Sequence, residues 1–196
     1  MLPEQRQIAY PLLLIVTSIL GWIAALALTI EKIRKLENPD AVASCDFSLL
    51  VQCGANLGSW QGSLFGFPNP LLGLTGWAFV LAVGVALLGG VQFPKWFLAL
   101  FNLGTFAALL FVIWLIYVSV FMLGTLCPWC MVTWAATIPA FIYSTVWSLR
   151  EGVWGDLAMP FGERLVTWTP TLIIVGYSIP AAVAQVRLDW IGNIFL

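Results

Sequence analysis

No charged residue lies between Lys95 and Arg150. A hydrocarbon core about 30 Å thick is crossed by about 20 mostly apolar residues in a helix. This stretch is long enough to cross twice, and it divides near Gly124 to Cys127. Pro11–Ile30, Pro70–Phe93 and Val166–Val186 each qualify as well. Lipid leaves no partner for open backbone groups, so the spanning segments are helices. The expected spans are 11–30, 70–93, 96–123, 128–148 and 166–186. Pro170 sits near the start of the last span, and Pro180 is expected to kink it. Residues 1–10 read as a short tail, and 31–69 form the one sizeable loop between spans.

Composition agrees. Of 196 residues, 61% are apolar and 9% are charged, against roughly 25% charged in ordinary soluble domains. The expectation is an all-α integral membrane protein forming one unit over residues 1–196. A net charge of -1 gives no sign of a nucleic-acid partner. The first span has Arg6 before it, and Ala25-Leu26-Ala27 faintly resembles a signal-peptide cleavage site. Its apolar run is long, however, and Glu31-Lys32-Ile33-Arg34-Lys35 follows as a charged stop, so it is read as a retained span.

With the N-terminus inside, Arg6, Lys95, Arg150 and Arg164 face Lys32, Arg34, Lys35 and Arg187, so positive charge does not decide the orientation. The cysteines do better. The loop after span one and the junction between spans three and four share one face. Cys45 and Cys53 lie in the first, Cys127 and Cys130 in the second. Disulfides persist in oxidising compartments, so that face is placed outside the cytoplasm.

In Cys127-Pro128-Trp129-Cys130, Pro128 suits the first helical position and pushes Cys127 out of helical geometry. Cys127 then becomes the N-cap of span four, with Cys130 one turn in. Orphan N–H groups and the helix dipole favour negative charge there, which suits a reactive thiolate. Two alternatives stand beside this reading: a pair of buried structural cysteines, and a four-cysteine zinc site. The seven residues between Cys45 and Cys53 are wider than usual zinc-ligand spacing, so no metal is expected. The Cys45/Cys53 pair is either a structural staple or a mobile shuttle. A shuttle exchanges electrons with a soluble partner and then with the fixed pair through mixed disulfides. With no histidine for haem ligation and no G-x-G-x-x-G fingerprint, the electron acceptor that remains is a lipid-soluble quinone reaching Cys130 from within the bundle.

At these residues the chain resembles the bacterial branch of the vitamin K epoxide reductase family. The features are spaced Cys45 and Cys53, then Ser59, then Phe67-Pro68-Asn69-Pro70-Leu71-Leu72-Gly73, and a C-x-x-C opening span four. The resemblance implies a four-helix bundle around a quinone (menaquinone or ubiquinone), plus one peripheral helix. The loop and a half-helix within 59–67 would cap the pocket. It implies that Cys45 exchanges with a soluble thioredoxin-fold oxidase, that Cys53 passes electrons to Cys127, and that Cys130 faces the quinone. Ser59, Asn69, Leu72 and Trp134 fall at quinone-site positions. Each has a plainer reading: Ser59 as a helix cap, Asn69 as turn chemistry between two prolines, Leu72 as core packing and Trp134 as an interfacial anchor. The expected form lacks the fused thioredoxin-like domain of some members, so it needs a separate partner. The expected location is the bacterial inner membrane, with the cysteines facing the periplasm or the exterior.

Two other functions compete. The disulfide-bond protein B family does a similar job, but there the C-x-x-C comes in the first outer loop and the spaced pair later, on four helices. A non-enzymatic membrane protein stapled by two disulfides is the second.

Overall fold

The structure, a computed structural model, describes the backbone of residues 3–195 and the side chains of residues 8–192. Among the described residues the chain is nearly all helix, with no strand beyond one isolated bridge. Among the described residues, five helices are long and apolar enough to cross a membrane. They are α1 (Pro3–Glu37), α3 (Asn69–Leu88), α4 (Lys95–Tyr117), α5 (Pro128–Arg150) and α6 (Met159–Leu188). Between α1 and α3 lie the short helix α2 (Gly54–Gly58) and a 3₁₀ turn, Trp60–Ser63; a final short helix, α7 (Trp190–Phe195), follows α6. The chain is a multi-pass membrane protein.

Several ends differ from the sequence reading. α1 begins at Pro3 and runs through Pro11, so residues 3–10 are helical rather than a tail. The side chain of Arg6 lies outside the described residues. Glu31 to Lys35 sit inside α1, because a helix end at the membrane surface tolerates charges that would be costly in its middle. α6 starts at Met159 and continues through both Pro170 and Pro180. The half-helix expected within 59–67 is α2 plus the 3₁₀ turn, displaced towards Cys53. α4 passes into a π-helical turn, Val118–Leu123, which ends at Gly124 with φ 65°.

Helices α1, α3, α4 and α5 form a bundle. α1 and α3 pack closely because small residues line the contact. A Cβ on Gly21 would fall 2.2 Å from the Trp77 ring, and one on Gly84 would fall 3.1 Å from Leu14 and Ile15. Buried polar groups tie the helix ends far from the cysteines. The Tyr10 hydroxyl meets Ser144 Oγ at 3.1 Å, and Asn102 links Thr145 to Trp154.

α6 packs against α5 outside this bundle. One bond between them follows from proline chemistry. Pro139 lacks an N–H, so the carbonyl four residues earlier, Ala135, has no helical donor. The Tyr177 hydroxyl of α6 donates to that carbonyl at 2.7 Å.

Candidate active site

The loop after α1 is fastened to the turn before α5. Val51 and Leu126 form an isolated parallel bridge. The Leu126 N–H donates to Leu50 O at 2.7 Å, and the Gln52 N–H donates to Leu126 O at 3.0 Å. Asn56 Nδ2 donates to Thr125 Oγ1 at 3.1 Å. Gly124 turns the chain back so that the Thr125 N–H bonds Ser119 O at 3.1 Å, and the Ser119 hydroxyl bonds Thr125 O at 2.5 Å. The expected mobile shuttle is therefore an anchored loop. Its open backbone groups find partners on the turn before α5, which sequence inspection does not show.

This anchoring places four sulfurs in order. Cys45 and Cys53 are joined in a disulfide. Cys127 is a free thiol with its Sγ 3.3 Å from Cys53 Sγ, beyond bonding length and within contact distance. Cys127 N-caps α5, with Pro128 at the first helical position, and its sulfur accepts the Cys130 N–H at 3.3 Å. Cys53 and Cys127 are both 0% exposed and Cys45 is 3% exposed. Cys130 is half-buried and free.

Asp46 and Lys32 hold α2, which carries Cys53 at its start. Asp46 Oδ1 accepts the N–H of Cys53 at 2.7 Å and of Gly54 at 2.9 Å. At the other end the Lys32 ammonium, in a side chain only 8% exposed, donates to Leu57 O. A five-residue helix is too short to persist alone. A carboxylate at its N-terminus and an ammonium at its C-terminus both complement its dipole.

A cavity of about 1290 Å³ lies inside the four-helix bundle, under α2 and the 3₁₀ turn. Its walls are mostly aromatic and aliphatic, including Trp77, Phe101, Phe111 and Trp134. Of the four cysteines, Cys130 alone lines it. α6 contributes nothing to its walls. The sulfur series therefore starts in the capping loop and ends at an apolar chamber.

A protein-family model matches residues 12–145, described as the vitamin K epoxide reductase family. That region holds all four cysteines, the capping segment and the bundle helices. The chain belongs to the vitamin K epoxide reductase family. No curated relative matches it. Membership makes oxidoreductase chemistry the frame for this site.

The cavity fits the group that the family uses. Trp77 and Trp134 offer flat apolar surface for a quinone ring, and the volume exceeds the roughly 300–1,000 Å³ of ordinary ligand pockets, leaving room for a tail. Polar groups of Ser59, Gln61 and Asn69 border it at the capping end.

The four residues expected at the quinone site all line this cavity, and two of them are already engaged. The Ser59 hydroxyl donates to Asn56 O at 2.8 Å and accepts the Gly62 N–H at 3.2 Å, capping the 3₁₀ turn. Asn69 Oδ1 accepts the Leu64 N–H at 3.1 Å, and Asn69 Nδ2 donates to Gln61 O at 2.6 Å. An amide carries two N–H bonds, so one remains for a ligand. Leu72 and Trp134 contribute apolar wall.

Asp46, Lys32 and Gln61 were missed in the sequence. Only Asp46 left a signal there, as an Asp beside Cys45 and seven residues before Cys53.

Proposed function

We propose that this protein is a quinone-dependent thiol oxidase whose electrons run from a soluble thioredoxin-fold dithiol through Cys45/Cys53 and Cys127/Cys130 to the cavity. The 3.3 Å approach of Cys127 Sγ to Cys53 Sγ carries the reading. A staple would not need a free thiol held against a disulfide.

The exchange balances at each step. One thiolate of the partner attacks Cys45 Sγ, breaks its bond to Cys53 and forms a mixed disulfide. The partner's second thiol then displaces Cys45, leaving the partner oxidised and the loop pair as thiols. With Cys127–Cys130 oxidised, Cys53 attacks Cys127 Sγ and releases Cys130. Cys45 next attacks Cys53 Sγ and releases Cys127. The result is the observed arrangement, a closed loop disulfide with Cys127 and Cys130 free. Each of these steps is thiolate–disulfide exchange.

Cys130 borders the cavity and Cys127 does not, so Cys130 is the thiol that meets the acceptor. A bound quinone would supply a sink for two electrons and two protons. Trp77 and Trp134 would hold its ring and the second Asn69 N–H would be the donor offered to it, while Cys127 and Cys130 close their disulfide. The acceptor is of the menaquinone or ubiquinone class. The cysteine face lies outside the cytoplasm of a bacterial inner membrane, because the loop disulfide survives in an oxidising compartment.

The test is anaerobic mixing of purified protein, a reduced thioredoxin-fold oxidase and either quinone class, followed by quinone absorbance. One quinone reduced per partner disulfide formed is expected. Partner oxidation with no quinone consumed would remove the quinone arm. No partner oxidation at all would favour the staple.

A further inference from the structure

We infer that Asp46 is a positioning residue, a latch that keeps Cys45 beside Cys53 during the interval when Cys45 is a free thiol. The inference rests on the relay proposed above.

When Cys127 and Cys53 are joined, the covalent tie between Cys45 and Cys53 is gone. Nothing covalent then stops residues 45–50 from swinging away. Two contacts in the loop oppose this. The Val51–Leu126 bridge holds the far end of the loop. Asp46, the residue next to Cys45, holds the near end through its bonds to the N–H groups of Cys53 and Gly54 at 2.7 and 2.9 Å. Those bonds run from the Asp46 side chain to the backbone, so they need no disulfide. Hydrogen bonds to a charged acceptor are about twice as strong as neutral ones. The latch requires room at residue 54: a Cβ there would lie 2.7 Å from Asp46 Oδ2. Glycine is what lets the carboxylate reach the start of α2.

The consequence is a hidden intermediate. Cys45 is 3% exposed in the closed loop, so the partner reaches it only by displacing its cover on docking, and with no partner docked the latch keeps it shielded after release. It re-attacks Cys53 before a small oxidant or a stray thiol reaches it. The step is an isomerisation: the Cys45–Cys53 bond forms, the Cys53–Cys127 bond breaks, and the proton Cys45 gives up passes to Cys127. No outside oxidant or reductant takes part.

The experiment uses full-length protein in detergent carrying Cys130→Ser, which leaves three thiols to share one disulfide. Mass mapping gives the ratio of the Cys53–Cys127 to the Cys45–Cys53 form, and a maleimide pulse gives the labelling rate of Cys45. Adding Asp46→Ala is expected to raise both at least about tenfold, the equivalent of one lost charge-assisted bond. Gly54→Ala, which keeps the carboxylate but blocks its approach, is expected to do the same. Asp46→Asn, with a neutral acceptor, is expected to raise them only about threefold. A variant that fails to fold is replaced by the next. Unchanged ratio and labelling in the folded variants would overturn the latch. Absence of any Cys53–Cys127 form in the Cys130→Ser parent would instead overturn the relay.

Discussion

Val51 pairs with Leu126 in a single parallel bridge, and that pairing sets Cys53 against Cys127. The two residues are far apart in sequence and belong to segments on either side of α3 and α4. Everything the site does chemically depends on this local fastening, while the helix bundle supplies the chamber below.

The bridge can be broken without touching a sulfur. Gln52→Pro removes the N–H that bonds Leu126 O. One hydrogen bond contributes about 0.5–1.5 kcal/mol, so turnover with a reduced partner should fall up to about tenfold. Far-UV circular dichroism should not change. Full turnover would mean that the loop finds Cys127 without the bridge.

Cys130→Ser should abolish quinone reduction and leave the fold intact, because Cys130 is the one cysteine on the cavity wall. The loop disulfide should still form and still be opened by the partner. Undiminished quinone turnover in the purified variant would take Cys130 out of the reaction.

Asn69→Ala should act twice. It leaves Gln61 O and the Leu64 N–H without their partner, and an unmet buried group costs about 1–3 kcal/mol. The melting temperature should drop. KM for quinone should also rise several-fold with kcat less affected, since the spare N–H is lost. A lower melting temperature with unchanged KM across quinones would confine Asn69 to tying the cap to α3.

Five spans and the two cysteine pairs on one face were legible in the sequence, because long apolar runs give the spans and the two crossings between the pairs return the chain to the same face. The cap was not. Ser59 and Asn69 stood out through the family resemblance, yet their bonds go first to the backbone of the capping segment. Nothing local in the sequence marks which carbonyl or N–H a side chain will reach. Lys32 read as part of a charged stop after a span, because its partner, Leu57 O, is set by how α2 folds back over α1. The loop looked mobile for the same reason: its fastening residues, Leu50 and Gln52, are unremarkable until Leu126 arrives beside them.

Tyr177→Phe separates stability from catalysis. It leaves the Ala135 carbonyl unpaired opposite Pro139, and because lipid offers that outward-facing carbonyl no other donor the loss should be about 1–3 kcal/mol. Turnover should stay at the parent level, because α6 does not line the cavity. Adding Pro139→Ala restores a helical donor to Ala135 and should recover most of the lost stability. Equal melting temperatures for Tyr177→Phe and the parent protein would show that the bond contributes nothing measurable.

The account turns on direct exchange between Cys53 and Cys127. Rapid acid quenching of the parent protein during turnover with a reduced partner and quinone, followed by disulfide mapping, reads it most directly. A peptide linking Cys53 to Cys127 is expected, at a level that rises when quinone is limiting. Turnover in which only the Cys45–Cys53 and Cys127–Cys130 links are ever found would contradict it.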